Sequence, residues 1–195
     1  MPTLVVNAEA DTYIQYNSAT TNYGTATTGL LYGWDGANYT RMLMKLPLTS
    51  LPSQVVILSA ILSMYNESTG AGTQNVTLYR ALKNWVEAQA TWNIYSTGNN
   101  WSSAGCNSAG NDRASASIGT LAINNTAGWK NVTLDLTEFG LLKASNYGLV
   151  IVPSETVARL IRTREYASYV PYLTITYSLP GGLSAGQFLG DYGVL

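Results

Sequence analysis

Residues 55–65 read VVILSAILSMY, and the spacing of this stretch decides the fold class. Taken two at a time, Leu58, Ala60, Leu62 and Met64 fall on one side and Ile57, Ser59, Ile61, Ser63 and Tyr65 on the other. That period of two, with β-branched residues and serines mixed in, is the pattern of a strand. The same pattern recurs on both sides of it. TRMLMKL at 40–46 places Met42, Met44 and Leu46 on one face, with Arg41, Leu43 and Lys45 on the other. QNVTLYR at 74–80 turns Val76 and Leu78 inward, and NVTLDL at 131–136 sets Val132, Leu134 and Leu136 against Asn131, Thr133 and Asp135. YGLVIV at 147–152 is apolar throughout and reads as a central strand; ARLIRTR at 158–164 and YLTITY at 172–177 complete the set. Helix signals are few; TEFGLLKAS at 137–145 carries one, with Thr137 as N-cap, Glu138 in the first turn and Gly140 limiting it to one or two turns. Many short strands with almost no helix predict an all-β fold, an antiparallel β-sandwich of jelly-roll type rather than a closed barrel.

Composition narrows the function. Of the 195 residues 11% are charged, well under the usual quarter, and the net charge is −1, so the chain has no electrostatic footprint for nucleic acid. Apolar runs such as VVIL at 55–58 are far too short to cross a bilayer, and the N-terminus, MPTLVVNAEAD, does not read as a secretory signal. With no histidine, triads and zinc sites built on imidazole are excluded. Cys106 is the only cysteine, so there is no internal disulfide, and it reads as a small loop residue. No local motif selects the facing pair of carboxylates that a glycosidase needs, so no catalytic residue is assigned and the chain is read as a non-enzyme.

After Tyr177 the strand pattern stops. SLPGG breaks it, and LSAGQFLGDYGVL follows, dividing the chain into a domain at 1–177 and an extended apolar, Gly-rich tail at 178–195. The tail is too apolar for a solvated linker. It packs back on its own domain or inserts into a neighbouring subunit, in which case Leu183, Phe188, Leu189 and Tyr192 are the interface residues.

The order of motifs resembles a known family. ADTYI at 10–14, NYGT at 22–25, RMLMKLPLTSLPSQVVILSAILSMY at 41–65, VTLYRALKNWVEAQATWNIYSTGNNW at 76–101, GWKNVTLDLTEF at 128–139, NYGLVIV at 146–152, RTREYAS at 162–168 and PYLTITY at 171–177 follow one another as in DNRLRE-type, or disaggregatase-related, domains. The resemblance covers about residues 8–177. It implies a β-sandwich related to carbohydrate-binding modules, occurring in secreted and cell-surface proteins and, alone, among accessory proteins of tailed-phage virions. The apolar tail and the absence of a second module favour the virion form: a non-enzymatic capsid decoration or a tail or fibre component. Its partners are then other virion proteins and copies of itself, a homotrimer being one symmetric assembly of the expected kind. The alternative is a polysaccharide-binding adhesion module at a cell surface or outside the cell.

Candidate binding residues lie in two aromatic stretches. In 85–101, Trp85 and Trp92 read as anchors around Glu87, whose carboxylate is expected to accept backbone N–H bonds. Tyr95 and Trp101, set among Ser, Thr, Gly and Asn, carry a second reading as a stacking surface for sugar. In YGWDG at 32–36, Trp34 and Asp35 form a sugar contact or the tip of a hairpin. No cofactor is implied beyond a structural calcium, for which Asp11 in ADTYI and Asp112 in GNDR are the candidate oxygen ligands. Arg162, Arg164 and Glu165 form an ion-pair group or, alternatively, recognise a uronate.

Overall fold

A computed structural model describes residues 1–67 and 71–180. In chain order the strands are β1 (Thr3–Asn7), β2 (Ala10–Gln15), β3 (Thr28–Leu31), β4 (Thr40–Lys45), β5 (Val56–Asn66), β6 (Gln74–Arg80), β7 (Ile94–Ser96), β8 (Asn99–Asn100), β9 (Gly119–Ile123), β10 (Gly128–Thr133), β11 (Leu149–Pro153), β12 (Arg159–Arg162) and β13 (Tyr172–Ser178). Helix α1 (Leu136–Ala144) lies between β10 and β11. One sheet runs β1-β13-β5-β12-β3, with β10 also paired to β5; the other runs β2-β4-β11-β6-β9. Both are antiparallel, and they pack as a sandwich around Met42, Met44, Leu62, Met64, Ile151 and Leu173, all fully buried. As its unbroken apolar run predicts, β11 is the middle strand of its sheet. The candidate interface residues Leu183, Phe188, Leu189 and Tyr192 lie outside the described residues.

Three expectations are corrected, each for a local reason. The alternation in 55–65 changes phase. Thr176 pairs with Ser59 but Tyr177 with Ile57, so Leu58 is the extra residue of a β-bulge. The bulge turns Leu58 out to 40% exposure and sends Ile57 and Val55 against the core, while Ala60, Leu62 and Met64 keep their inward places. Helix α1 is capped by Asp135, not Thr137: its Oδ1 accepts the N–H of Glu138 at 2.9 Å. Asp135 meets the same N-cap requirement as a threonine. Reading 131–136 as one strand had hidden that role, and β10 ends at Thr133. The loop after β3 is not a hairpin, because β3 and β4 belong to different sheets.

The largest surprise is the second face of β4. Arg41 and Leu43 do point away from the sandwich core, but they are buried. The segment 81–118 folds back over this face and forms a second cluster with Trp85, Trp92, Trp101, Cys106 and Val150. Arg41 is held beneath it by the carbonyl of Gly105 at 2.5 Å and the Asn107 side chain at 2.8 Å. Arg159 is likewise fully buried, its guanidinium donating to the carbonyls of Ile123, Asn124, Ala158 and Gly72.

Gly148 joins the helix region to β11 at φ +84°, and an added Cβ there would collide with the carbonyl oxygen of Met44 on the neighbouring strand. Gly148→Ala combines a left-handed backbone with overpacking and is expected to cost about 2–4 kcal/mol, read as a lowered urea midpoint.

Candidate functional site

Strands β2 and β4 pair so that Gln15 faces Thr40, and the chain leaves both at the same end. Tyr16 follows β2 directly and Tyr39 precedes β4, tied by the Tyr16 N–H to the Tyr39 carbonyl at 2.8 Å. The loop 32–38 carries Trp34 into the same place. Its conformation is built on Asp35: Oδ1 accepts the N–H groups of Ala37 and Asn38, and Oδ2 accepts the Tyr32 hydroxyl and the Asn38 amide. Hydrogen bonds from the Asn38 side chain, then from the two backbone groups, hold the Asp35 carboxyl well below the usual carboxylate range. Asp35 therefore shapes the loop, and Trp34 is what the loop presents.

The result is an aromatic platform. Trp34 is 51% exposed and Tyr16 46%. Their rings meet edge to face at 5.2 Å, and Tyr16 meets Trp92 in the same manner at 5.7 Å. Tyr39 completes the group, 5.6 Å from Trp92 and 6.3 Å from Trp34. Below, the Arg41 guanidinium lies 4.9 Å from the Tyr39 ring centre and 5.7 Å from that of Trp92. The floor is thus fixed by a buried cation–π stack, while the top stays open. Amides surround it: Asn17, bonded to Asn38 at 2.6 Å, and Asn107, bonded to Arg41. A shallow cavity of about 230 Å³ lined by Gln15, Tyr32, Asn38 and Thr40 lies alongside. Open ring faces beside amides match the two-sided chemistry of a sugar, whose C–H face stacks on a π-surface while its hydroxyls take hydrogen bonds.

The other expected aromatics lie elsewhere. Trp101 is only 4% exposed and its indole N–H donates to the Thr91 carbonyl at 3.0 Å, so it offers no open face. Tyr95 is half-buried and packs on Trp101 at 5.5 Å. This pair secures the short β7–β8 ribbon. Trp85 and Trp92 are buried, as anchors should be, and the Trp85 indole N–H reaches the Tyr147 carbonyl at 2.8 Å. Gly105, at φ +79°, lies flat against the Trp92 ring where any side chain would intrude. Burial pushes the Cys106 thiol up to about 12, consistent with a packing role.

Asp112 is fully buried and accepts three backbone N–H groups, from Ser102, Ser103 and Ser108, at 2.7–3.1 Å. Its oxygens organise the 102–108 loop rather than await a cation. Arg162 pairs with Glu67, and Arg164 forks onto both oxygens of Glu87 at 2.8 and 2.6 Å while also meeting Glu165. Committed to carboxylates, these arginines do not present themselves to a uronate. Glu87 also accepts the Asp11 N–H at 2.7 Å, the backbone role expected of it.

Sequence reading missed Tyr16 and Tyr39, because only the β2–β4 register brings them beside Trp34. It also missed a second aromatic patch on the outer face of the other sheet. There Tyr65 stacks on Tyr169 at 4.0 Å and Trp129 packs edge-on against Tyr172 at 5.0 Å, with Trp129 39% and Tyr169 46% exposed. The Trp129–Tyr65 register that builds it is a cross-strand pairing between β10 and β5.

No curated protein matches the chain in sequence comparison. Residues 2–94, which span β1 to the start of β7 and include Tyr16, Trp34, Tyr39 and Trp92, match the model of carbohydrate-binding module family 96.

Proposed function

We propose that this protein is a non-catalytic polysaccharide-binding module that holds a neutral sugar on the platform of Tyr16, Trp34 and Tyr39. The observation that carries the reading is the open Tyr16–Trp34 pair, propped from below by Trp92 and Arg41, inside the residues that match a carbohydrate-binding family. Amides rather than free cations line its rim, which favours an uncharged, hydroxyl-rich ligand. The DNRLRE-like motif order, running on to residue 177, extends the same kinship to the second half of the sandwich. The tailed-phage virion role, the form that the tail at 178–195 favoured in the sequence, draws on residues nearly all beyond those described; the family match instead supports its alternative, the glycan-binding form.

Trp34→Ala tests the site. Loss of a central aromatic anchor is expected to weaken retention on a bound polysaccharide about 10- to 30-fold in affinity electrophoresis or calorimetry. The melting temperature should stay within about 2 °C of wild type, because Trp34 is half-exposed. Trp129→Ala should leave affinity unchanged. Wild-type affinity in Trp34→Ala would rule out the platform as the site, and a loss confined to Trp129→Ala would move it to the other sheet.

A further inference from the structure

Away from the platform, three carboxylates from distant parts of the chain converge: Asp11 on β2, Glu87 in the 81–118 excursion and Glu165 after β12. One oxygen from each lies within 4.8 Å of the others. That is the span of a calcium shell, since two oxygens each about 2.4 Å from one ion lie at most about 4.8 Å apart.

Proximity of acids alone would mean little, but here two oxygens are stranded. Asp11 is 1% exposed, and its Oδ1 has no hydrogen-bond partner, while Oδ2 accepts the Arg164 N–H at 2.9 Å. Glu165 Oε2 is also buried without a partner. A buried carboxylate oxygen left bare is costly, and such groups in proteins are paired or coordinate metal. Among the described residues Arg164 is the one cation bonded within the group, and it is spent on Glu87 and on Glu165 Oε1. Lys45, which also feels Glu87, donates its hydrogen bonds instead to the Asn84 side chain and the Trp85 carbonyl. Three acids against one guanidinium leave uncompensated negative charge around the bare oxygens. Burial, with Glu165 and Glu87 nearby, accordingly pushes the Asp11 carboxyl up to about 7, against the opposing bond from the Arg164 N–H.

We propose that Asp11 Oδ1, Glu165 Oε2 and Glu87 form a divalent-cation site suited to Ca²⁺, which clamps the 163–165 segment and the 81–118 excursion onto β2. All-oxygen ligands in a flexible, partly buried cluster fit Ca²⁺, with water filling its remaining positions; Mg²⁺ asks for a tighter octahedron than three such side chains impose. The site differs from the sugar platform and needs no sugar to be tested.

The full chain, stripped with a chelator and dialysed, is titrated with CaCl₂ alone and with MgCl₂ alone, by calorimetry and by thermal melting. The expected result is saturable Ca²⁺ binding and a melting temperature higher by about 5–10 °C at a hundredfold excess over Kd, with a smaller response to Mg²⁺. Glu165→Gln should lower Ca²⁺ affinity at least about tenfold, and Asp11→Asn should abolish the response. If Asp11→Asn fails to fold, Glu165→Gln decides. No binding heat and no melting shift with either ion would overturn the proposal, as would a Glu165→Gln variant that responds to Ca²⁺ like the wild type.

Discussion

Asp112→Ala is expected to destabilise the protein by about 3–5 kcal/mol, because the buried carboxylate is the shared acceptor of three partly buried backbone N–H groups and each hydrogen bond to a charged group contributes about 1.5–3 kcal/mol before relaxation. The donors belong to Ser102, Ser103 and Ser108, and the Cys106 thiol rests on the Asp112 carbonyl at 3.6 Å, so the whole turn is wound around this residue. Asp112→Asn keeps one carbonyl oxygen and is expected to lose about half as much. Urea unfolding of the two variants checks this. Equal, small losses would show that the 102–108 turn does not depend on the carboxylate.

Trp85→Ala should have a comparable effect, about 3–5 kcal/mol, through the cavity left by a fully buried indole. It also strips the Tyr147 carbonyl of its indole donor and removes the ring from beneath Lys45, whose Nζ lies 4.9 Å from its centre. Trp85→Phe restores most of the volume but not the N–H, and about 1–2 kcal/mol of the loss should remain. Trp85 and Trp92 belong to the same excursion, so loosening it should also weaken sugar binding. Trp34→Ala, in contrast, should lose binding and keep stability. A Trp85→Ala protein with a wild-type melting temperature would mean that 81–118 is not held by this anchor.

How far the sequence could be read follows from the range of the forces involved. Alternation is local, so most strands and the sandwich class are visible in it. The bulge at Leu58 is not, because it is set by the pairing of β5 with β13, more than a hundred residues away. Arg41 and Leu43 show an outward phase, yet nothing local says that 81–118 will cover them; three tryptophans and one tyrosine among polar residues fit a cover as well as a binding surface. Trp34 was legible as an aromatic in a turn-rich loop. Tyr16 and Tyr39 were not, since each looks ordinary until the β2–β4 register sets them together. The carboxylate cluster is the extreme case, drawing residues 11, 87 and 165 together from three separate segments.

The central claim is that sugar rests on the Tyr16–Trp34 platform, and the five tryptophan indole N–H resonances report on it separately. Titrating ¹⁵N-labelled protein with oligosaccharides of the polysaccharide it retains best should shift the Trp34 indole first and most. Trp92 should follow weakly, and Trp85, Trp101 and Trp129 should stay in place. A titration that moves Trp129 and leaves Trp34 untouched, or one in which no retained polysaccharide is found and no indole moves, would contradict the account.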